Sequence, residues 1–495
     1  MSAASPLFIA LDEGTTSTRA AAFDLTGNIV ASHAKDFKQL FPQPGWVEHD
    51  AEEIFAAVCS TLAATLRDVA QRHVAAIGIT NQRETIVIWS KKTGEALAPA
   101  IVWQDRRTAD RCAQLVRDGL EPAVQHTTGL LLDPYFTASK LAWLLENTPG
   151  ARALAEAGGL CAGTIDAFLA YRLTGAHITD HSNASRTLLY NIEAGTWDDG
   201  LCDLFAIPRS ILPEIVDCYG RFAHIQDGLP GAGRPLCGMA GDQQAASIGQ
   251  MCFAPGSAKA TYGTGCFLLV NTGDKIMRSK SRLLSTVLLS ENGKRTYALE
   301  GSIFVAGSLV QWLRDELQLI SDAAETEALA RSVADSAGVV IVPALTGLGA
   351  PYWQAQARGA IFGLTRGAGR AHIARAALEA QSYQTHDLMT AMAGDGQAVG
   401  RLRVDGGMVA NDWLCQDLSD ILCVAIDRPK VTETTALGAA VLAAVGSGHL
   451  GSLQEAQQMW QTGAAFEPSL AADVREDRLA NWAAAVARIV HDPAG

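Results

Sequence analysis

No Cys-x-x-Cys pair occurs in this chain, although it holds 10 cysteines, scattered at positions 59, 112, 161, 202, 218, 237, 252, 266, 415 and 423. That spacing gives no support to a zinc site, and reduced, mostly buried thiols are expected. No apolar run reaches the roughly 18 residues that a membrane-spanning helix requires. The apolar stretch from Leu7 to Leu11 has no basic residues ahead of it and stops at Asp12, so a signal peptide is not expected. Positive charge is also short. Lys and Arg number 39 against 52 Asp and Glu, and a formal charge of −13 repels a nucleic-acid backbone. Any anionic ligand must therefore be held by a local pocket. No Gly-x-x-x-x-Gly-Lys-Ser/Thr occurs either, which excludes a P-loop. A soluble, cytoplasmic protein is expected.

What is present is a well-buried composition, 48% hydrophobic and 18% charged, over 495 residues. That length exceeds one core, so two or three domains are expected. The most informative stretch is Phe8-Ile9-Ala10-Leu11-Asp12-Glu13-Gly14-Thr15-Thr16-Ser17-Thr18-Arg19. A buried-strand run ends in an aspartate and a Gly-Thr-Thr turn follows. Such a turn offers backbone N–H groups, hydroxyls and a guanidinium to a polyphosphate, while the aspartate can face its magnesium.

Strands are expected at Leu7–Leu11, Arg19–Asp24, Val74–Thr80 and Thr85–Trp89, with a helix from Asp50 to about residue 70. This rhythm indicates an α/β domain with a mixed sheet. A comparable phrase begins at Ala258: a strand, the turn Gly263-Thr264-Gly265, and a returning strand through Val270. Helices are expected at Gln243–Gln250, Ile303–Leu317, His372–Met392 and Thr435–Val445, with strands at Val339–Val342 and Leu402–Val404. Two halves, each with a turn aimed at phosphate, imply a duplicated architecture closing over one nucleotide. The boundary is placed at residue 252, giving domains 1–252 and 253–495. The string Gly446-Ser447-Gly448-His449-Leu450-Gly451 fits a dinucleotide fingerprint on paper, but it follows a helix rather than a strand and reads as a helix stop.

Four further segments join the first hairpin: Gly78–Thr85, which contains Asn81-Gln82-Arg83-Glu84; Ala100–Arg107, which contains Trp103; Ala240-Gly241-Asp242-Gln243-Gln244; and Asp405-Gly406-Gly407-Met408-Val409-Ala410-Asn411. With these, the chain resembles the FGGY carbohydrate kinases, most closely the members whose acceptor is glycerol. Tyr135–Asn147 is similar to the first family signature, and Gly359–Leu364 through Leu378-Glu379 to the second. The resemblance runs from residue 7 to about 445. It implies the actin-like ATPase fold, two RNase-H-like domains flanking a nucleotide cleft, and ATP-dependent phosphorylation of glycerol with Mg2+.

The resemblance assigns polyol binding to Arg83, Glu84, Tyr135, Asp242 and Gln243, with Trp103 and Phe267 as apolar walls. Asp242 is implied as general base and Asp12 as the magnesium residue. Thr15, Thr16, Ser17, Arg19, Thr264, Gly307, Gln311, Gly407 and Asn411 match family nucleotide positions. Dimers or tetramers are common in the family. The residue chemistry is consistent with a triol, because each hydroxyl both donates and accepts: Arg83 only donates, Glu84 only accepts, and Gln243 does both.

Other readings stay open from the residues alone. Arg83-Glu84 could be an ordinary ion pair, the aromatics plain core, and Asp242 a helix N-cap. A family kinase for a longer sugar or polyol such as xylulose or erythritol, or a non-catalytic ATP-binding protein of actin-like fold, would share much of the pattern. Asp180 and His181 read as surface or loop residues. The chain departs from the family at Glu13, where glutamine is usual; a negative charge beside the phosphates is the expected consequence. The loop Arg221–Cys237 keeps only Gly231-Ala232-Gly233-Arg234 of the family loop that binds fructose 1,6-bisphosphate.

Overall fold

The computed structural model describes residues 5–354 and 356–490. The first sheet is built from β1 (Leu7–Glu13), β2 (Ser17–Phe23), β3 (Ile29–Asp36), β4 (Val74–Asn81), β5 (Tyr219–His224) and β6 (Pro235–Gly241), in the order β5-β6-β4-β1-β2-β3. β1, β2 and β3 are antiparallel neighbours, whereas β4 lies parallel to β1 and β6 parallel to β4. Period-2 alternation along β1 divides its side chains between two cores. Leu7, Ile9 and Leu11 pack with Ile54, Val58 and Leu62 of α1 (Ala51–Asp68), while Phe8 and Ala10 face the opposite layer. Asp50 starts α1 by accepting from the backbone N–H of Glu52 and Glu53.

β6 leads directly into α2 (Asp242–Gly249). The second sheet follows, from β7 (Ala258–Tyr262), β8 (Cys266–Gly273), β9 (Leu284–Glu291), β10 (Lys294–Ile303), β11 (Arg401–Asp405), β12 (Ala425–Pro429) and β13 (Thr462–Phe466), in the order β9-β10-β8-β7-β11-β12-β13. Its central part repeats the first sheet. β7, β8 and β10 are antiparallel neighbours, and β11 and β12 are added in parallel. This is the duplicated, RNase-H-like arrangement that the resemblance implied. Helices α3 (Gly307–Asp315), α4 (Arg370–Gly394) and α5 (Asp412–Leu422) cover the second sheet.

Helix α6 (Thr434–Gly446) comes from the second half of the chain but packs on β1, β4 and β6 of the first sheet and on α2. Its residues Ala436–Val445 form the layer that Phe8 and Ala10 face. The crossing of α6 with α2 is close because glycines stand at the contact: a Cβ at Gly438 would lie 1.8 Å from the Ala245 carbonyl oxygen, and one at Gly249 2.0 Å from that of Thr434. A smaller four-stranded sheet (Glu48–His49, Ala100–Ile101, Ile86–Ser90 and Leu160–Thr164), drawn from both sides of β4 in the chain, and the helix Thr137–Asn147 carry the segment containing Trp103 and Tyr135.

Three expectations are corrected. The helix expected at Ile303–Leu317 begins only at Gly307, because Ile303 still pairs with Cys266 in the sheet. The stretch Arg221–Cys237 is not one loop but the ends of β5 and β6 joined by a turn. Asp180 and His181 are buried rather than at the surface: Asp180 accepts from Ser182 and Asn183 N–H, and His181 Nδ1 lies 2.6 Å from the Tyr190 hydroxyl. The glycine-rich string does end a helix, with α6 closing at Gly446 and Gly448 at φ +80°.

Candidate active site

Both turns expected to face phosphate are hairpin tips at equivalent places in the two sheets. In the first, Glu13 pairs with Thr18 and Asp12 with Arg19, and Gly14 N–H donates to the Ser17 carbonyl at 2.9 Å. Thr15 and Ser17 are half-buried and Thr16 is exposed. In the second, Tyr262 pairs with Cys266, and Gly263 N–H donates to the Gly265 carbonyl at 2.9 Å. Exposed Thr264 gives its carbonyl to the N–H groups of Ala306 and Ser308, and Gly263 gives its own to Gly307, so this tip is docked on the start of α3. Gln311 is exposed on the same helix.

The last segment expected to meet nucleotide follows β11. Gly406 has φ +91°, and a Cβ there would meet the Tyr262 carbonyl at 2.4 Å. Backbone conformation thus requires glycine at 406. At Gly407 a Cβ would meet no protein atom within 4 Å, so the face it presents is open. Asn411 caps α5 by accepting from Leu414 N–H, and its amide donates to Thr326 Oγ1 at 3.3 Å.

On the acceptor side, residues far apart in sequence converge. Arg83 and Glu84 follow β4, and Asp242 is the first residue of α2 after β6, the strand beside β4. Arg83 Nε lies 3.2 Å from Asp242 Oδ1 and 3.8 Å from Glu84 Oε1. Asp242 is not the N-cap of its helix: Gly241 holds that position, and the carboxylate accepts the N–H of its neighbour Gln243 at 2.7 Å. Glu84 adopts φ +62°, a left-handed conformation that a non-glycine residue holds only when its surroundings fix it. Arg186 Nε fixes the side chain, donating to Glu84 Oε1 at 2.6 Å.

Three aromatic rings face this cluster. Trp103 stands edge-on to Tyr135 (5.7 Å between centroids) and to Phe267 (6.4 Å), and Phe267 brings the second domain's β8 to the site. The Arg83 guanidinium carbon is 5.8 Å from the Phe267 centroid. Trp103 Nε1 donates to Thr15 Oγ1 at 3.0 Å, so the aromatic wall is tied to the phosphate hairpin.

Electrostatics separate the carboxylates. Burial raises Asp242 above the ordinary carboxylate range, with Arg83 and then Lys259 pulling against it. Burial raises Glu84 as well, opposed by Arg83 and Arg186. Glu300 goes the other way: burial would raise it, but Arg186 and Arg83 hold it at about 2. Asp12 is pushed up to about 7 by burial, with Glu433 adding to the effect and Arg19 opposing it. Arg19 itself pairs with Glu433, the residue before α6.

The carboxylate of Asp12 therefore faces a site short of positive charge, which fits a cation. Among the described residues no group of three or more His, Cys, Asp or Glu side chains is arranged to hold a metal ion. A magnesium here would take its other ligands from phosphate oxygens and water, as that ion commonly does.

The Glu13 side chain turns into the protein, onto Gln82. It is fully buried, accepts from Gln82 Nε2 at 3.1 Å, and burial raises its carboxyl well above the usual range. Five residues that sequence reading passed over complete the site: Arg186, Gln244, Lys259, Glu300 and Glu433. Lys259 could have been found as the one charged residue of its strand, whereas Glu300 shares β10 with Lys294 and Arg295 and does not stand out. Arg186 carries no such signal.

The resemblance and the geometry meet in the comparisons with known proteins. Residues 7–249 match the N-terminal domain of the FGGY family of carbohydrate kinases, and residues 258–447 match its C-terminal domain. The chain is 54% identical to a glycerol kinase of Alcanivorax borkumensis, covering 99% of both chains. It is also 54% identical to glycerol kinase 1 of Pseudomonas aeruginosa, covering 97% of this chain and 98% of that one. Among solved structures, Plasmodium falciparum glycerol kinase with ADP superposes with a TM-score of 0.93 at 36% identity, covering 99% of each chain. Two hairpin turns at equivalent places in the two sheets, an acid at the start of α2 and these full-length matches leave one assignment: the chain is a member of the FGGY family of carbohydrate kinases.

Proposed function

We propose that the chain transfers the γ-phosphoryl group of ATP to a terminal hydroxyl of glycerol, giving sn-glycerol 3-phosphate and ADP, as an ATP:glycerol 3-phosphotransferase. The observation that carries this reading is the convergence of Arg83, Glu84, Asp242 and Gln243 beneath the rings of Trp103, Tyr135 and Phe267. Polar groups of both kinds meet aromatic faces, which suits a short chain bearing a hydroxyl on every carbon. A pocket built around hydroxyls rejects an analogue that lacks them far better than one with an extra methylene.

In this reading the acceptor oxygen attacks the γ-phosphorus, the bond from phosphorus to the bridging oxygen breaks, and ADP leaves with the electron pair. Asp242 takes the hydroxyl proton. Its raised carboxyl is a stronger base than an exposed aspartate while Arg83 keeps it oriented. Thr15, Thr16, Ser17 and Arg19 from the first hairpin, and Thr264 from the second, hold the phosphates. Gly307, Gln311, Gly407 and Asn411 border the nucleoside. Asp12 would hold a magnesium ion, which would supply positive charge against the triphosphate when bound.

The test is ADP release measured with glycerol, erythritol, xylulose, ribulose and gluconate as acceptors. Glycerol is expected to give the highest kcat/KM. Preference for another acceptor overturns the substrate, and nucleotide binding without acceptor-dependent ADP release overturns the enzyme.

A further inference from the structure

Lys259 is fully buried in β7, four residues before Gly263, and nothing in the reaction described so far uses it. Its ammonium donates to two neutral groups, Gln243 Oε1 and, at 2.9 Å, Thr261 Oγ1. Burial lowers its pKa, opposed by Asp405 and then Asp242, while Arg83 adds to the lowering. The surroundings as a whole thus disfavour the charge, and an apolar side chain of the same length would fit without that cost. A buried ammonium kept against its own desolvation calls for a reason in the site.

The geometry supplies one. Gln243 is the residue after Asp242, and its amide has one oxygen and one NH2 group. With Oε1 held by Lys259, the NH2 end is the one left to face an acceptor oxygen. Thr261, the second partner, lies on the same face of β7 as Lys259, and that strand runs on into the Gly263-Thr264-Gly265 turn. One side chain thereby joins the polyol side of the site to the second phosphate loop. Its charge also counts at the proton acceptor, where Lys259 follows Arg83 in opposing the rise of Asp242.

We propose that Lys259 is a positioning residue of the phosphoryl transfer: its ammonium fixes the Gln243 amide with the NH2 group toward the acceptor and ties that amide, through β7, to the second phosphate loop. The inference rests on the acceptor reading given above.

The test compares Lys259→Met, Gln243→Ala and the double variant with the wild-type enzyme, by steady-state ADP release and thermal unfolding. Lys259→Met is expected to raise the glycerol KM about tenfold or more, the scale of losing a charged hydrogen bond. The ATP KM should stay within about twofold, since no atom of Lys259 is assigned to the nucleotide. In the Gln243→Ala background the same change should have almost no further effect on the glycerol KM. The melting temperature should change little, because relief of a buried charge is offset by loss of its hydrogen bonds to Gln243 and Thr261.

An unchanged glycerol KM, equal increases in both backgrounds, or a loss of activity that follows a lowered melting temperature would each overturn the proposal. A wild-type enzyme inactive on glycerol fails the acceptor reading instead. The four proteins are then compared on whichever acceptor of the panel is phosphorylated, with the same criteria.

Discussion

Asp242 and Glu13 both have carboxyls raised above the ordinary range, yet their surroundings give them opposite significance. Asp242 faces Arg83 at 3.2 Å and opens a helix at the point where two parallel strands end. Asparagine keeps its shape but cannot accept the acceptor's proton. Asp242→Asn is expected to lower kcat at least about 100-fold, the usual worth of a general base, while the glycerol KM changes little. Steady-state ADP release decides; turnover near that of the wild type would remove Asp242 from the mechanism. Glu13 turns instead into the protein, onto Gln82 Nε2, where burial favours the neutral carboxyl. A neutral glutamic acid differs from glutamine by little more than an NH2 group. Glu13→Gln should therefore leave the ATP KM within about twofold, and a tenfold fall would place the charge back beside the phosphates. Sequence alone could name the residue at 13 but not the direction of its side chain, because that depends on Gln82, 69 positions away.

At the scale of elements, the contact between α2 and α6 holds Asp242, the proposed proton acceptor, in place. α2 begins with Asp242 and α6 follows Glu433, the partner of Arg19, so the crossing lies between both halves of the site. Gly438 allows it: a methyl group there would penetrate the Ala245 carbonyl, and neither backbone can yield without moving its helix. Gly438→Ala is expected to destabilise the fold by about 2–3 kcal/mol, the range of overpacked cores, and to lower kcat through displacement of α2. Urea unfolding and ADP release measure the two effects; a variant as stable as the wild type would contradict the crossing. The elements themselves were largely legible. The hairpins around Gly14 and Gly263, the helix after Asp50 and the Ala-rich helix before Gly446 follow from local period and turn residues. The start of α3 was misplaced because Ile303 ends a strand through pairing with Cys266, a contact that no local pattern contains. The docking of α6 on the first sheet was likewise hidden, since an alanine-rich helix does not declare its partner.

Across the whole molecule, the acceptor side is held by one carboxylate from the other sheet. Glu300 in β10 receives Arg83 through both terminal nitrogens, at 2.6 and 3.0 Å, and Arg186 Nη2 at 3.0 Å. Arg83 belongs to the first half of the chain and Glu300 to the second, separated by 217 positions, so this bracket joins the two halves beneath the acceptor. Distance in sequence explains why the cluster of Arg83, Glu84 and Asp242 was readable and its support was not: these three sit in recognisable segments, whereas Glu300 is one acid in a strand that also holds Lys294 and Arg295. Removing it leaves two buried guanidinium groups short of a partner. Glu300→Gln is expected to cost about 3–5 kcal/mol of stability at neutral pH, with Arg83 no longer fixed against Asp242 and the glycerol KM raised. The sign with pH follows from the depressed carboxyl. Folded Glu300 sits at about 2, against 4.5 for the unconstrained group, so between those values the unfolded chain binds the additional proton. The contribution of Glu300 is thus fully present above about pH 4.5 and is lost as pH falls toward 2. Subtracting the urea stability of Glu300→Gln from that of the wild type at steps from pH 6 to pH 3 should give a difference that is level at the top and shrinks at the bottom. A difference that does not change over that range would mean that Glu300 is not the ionised anchor of the two arginines.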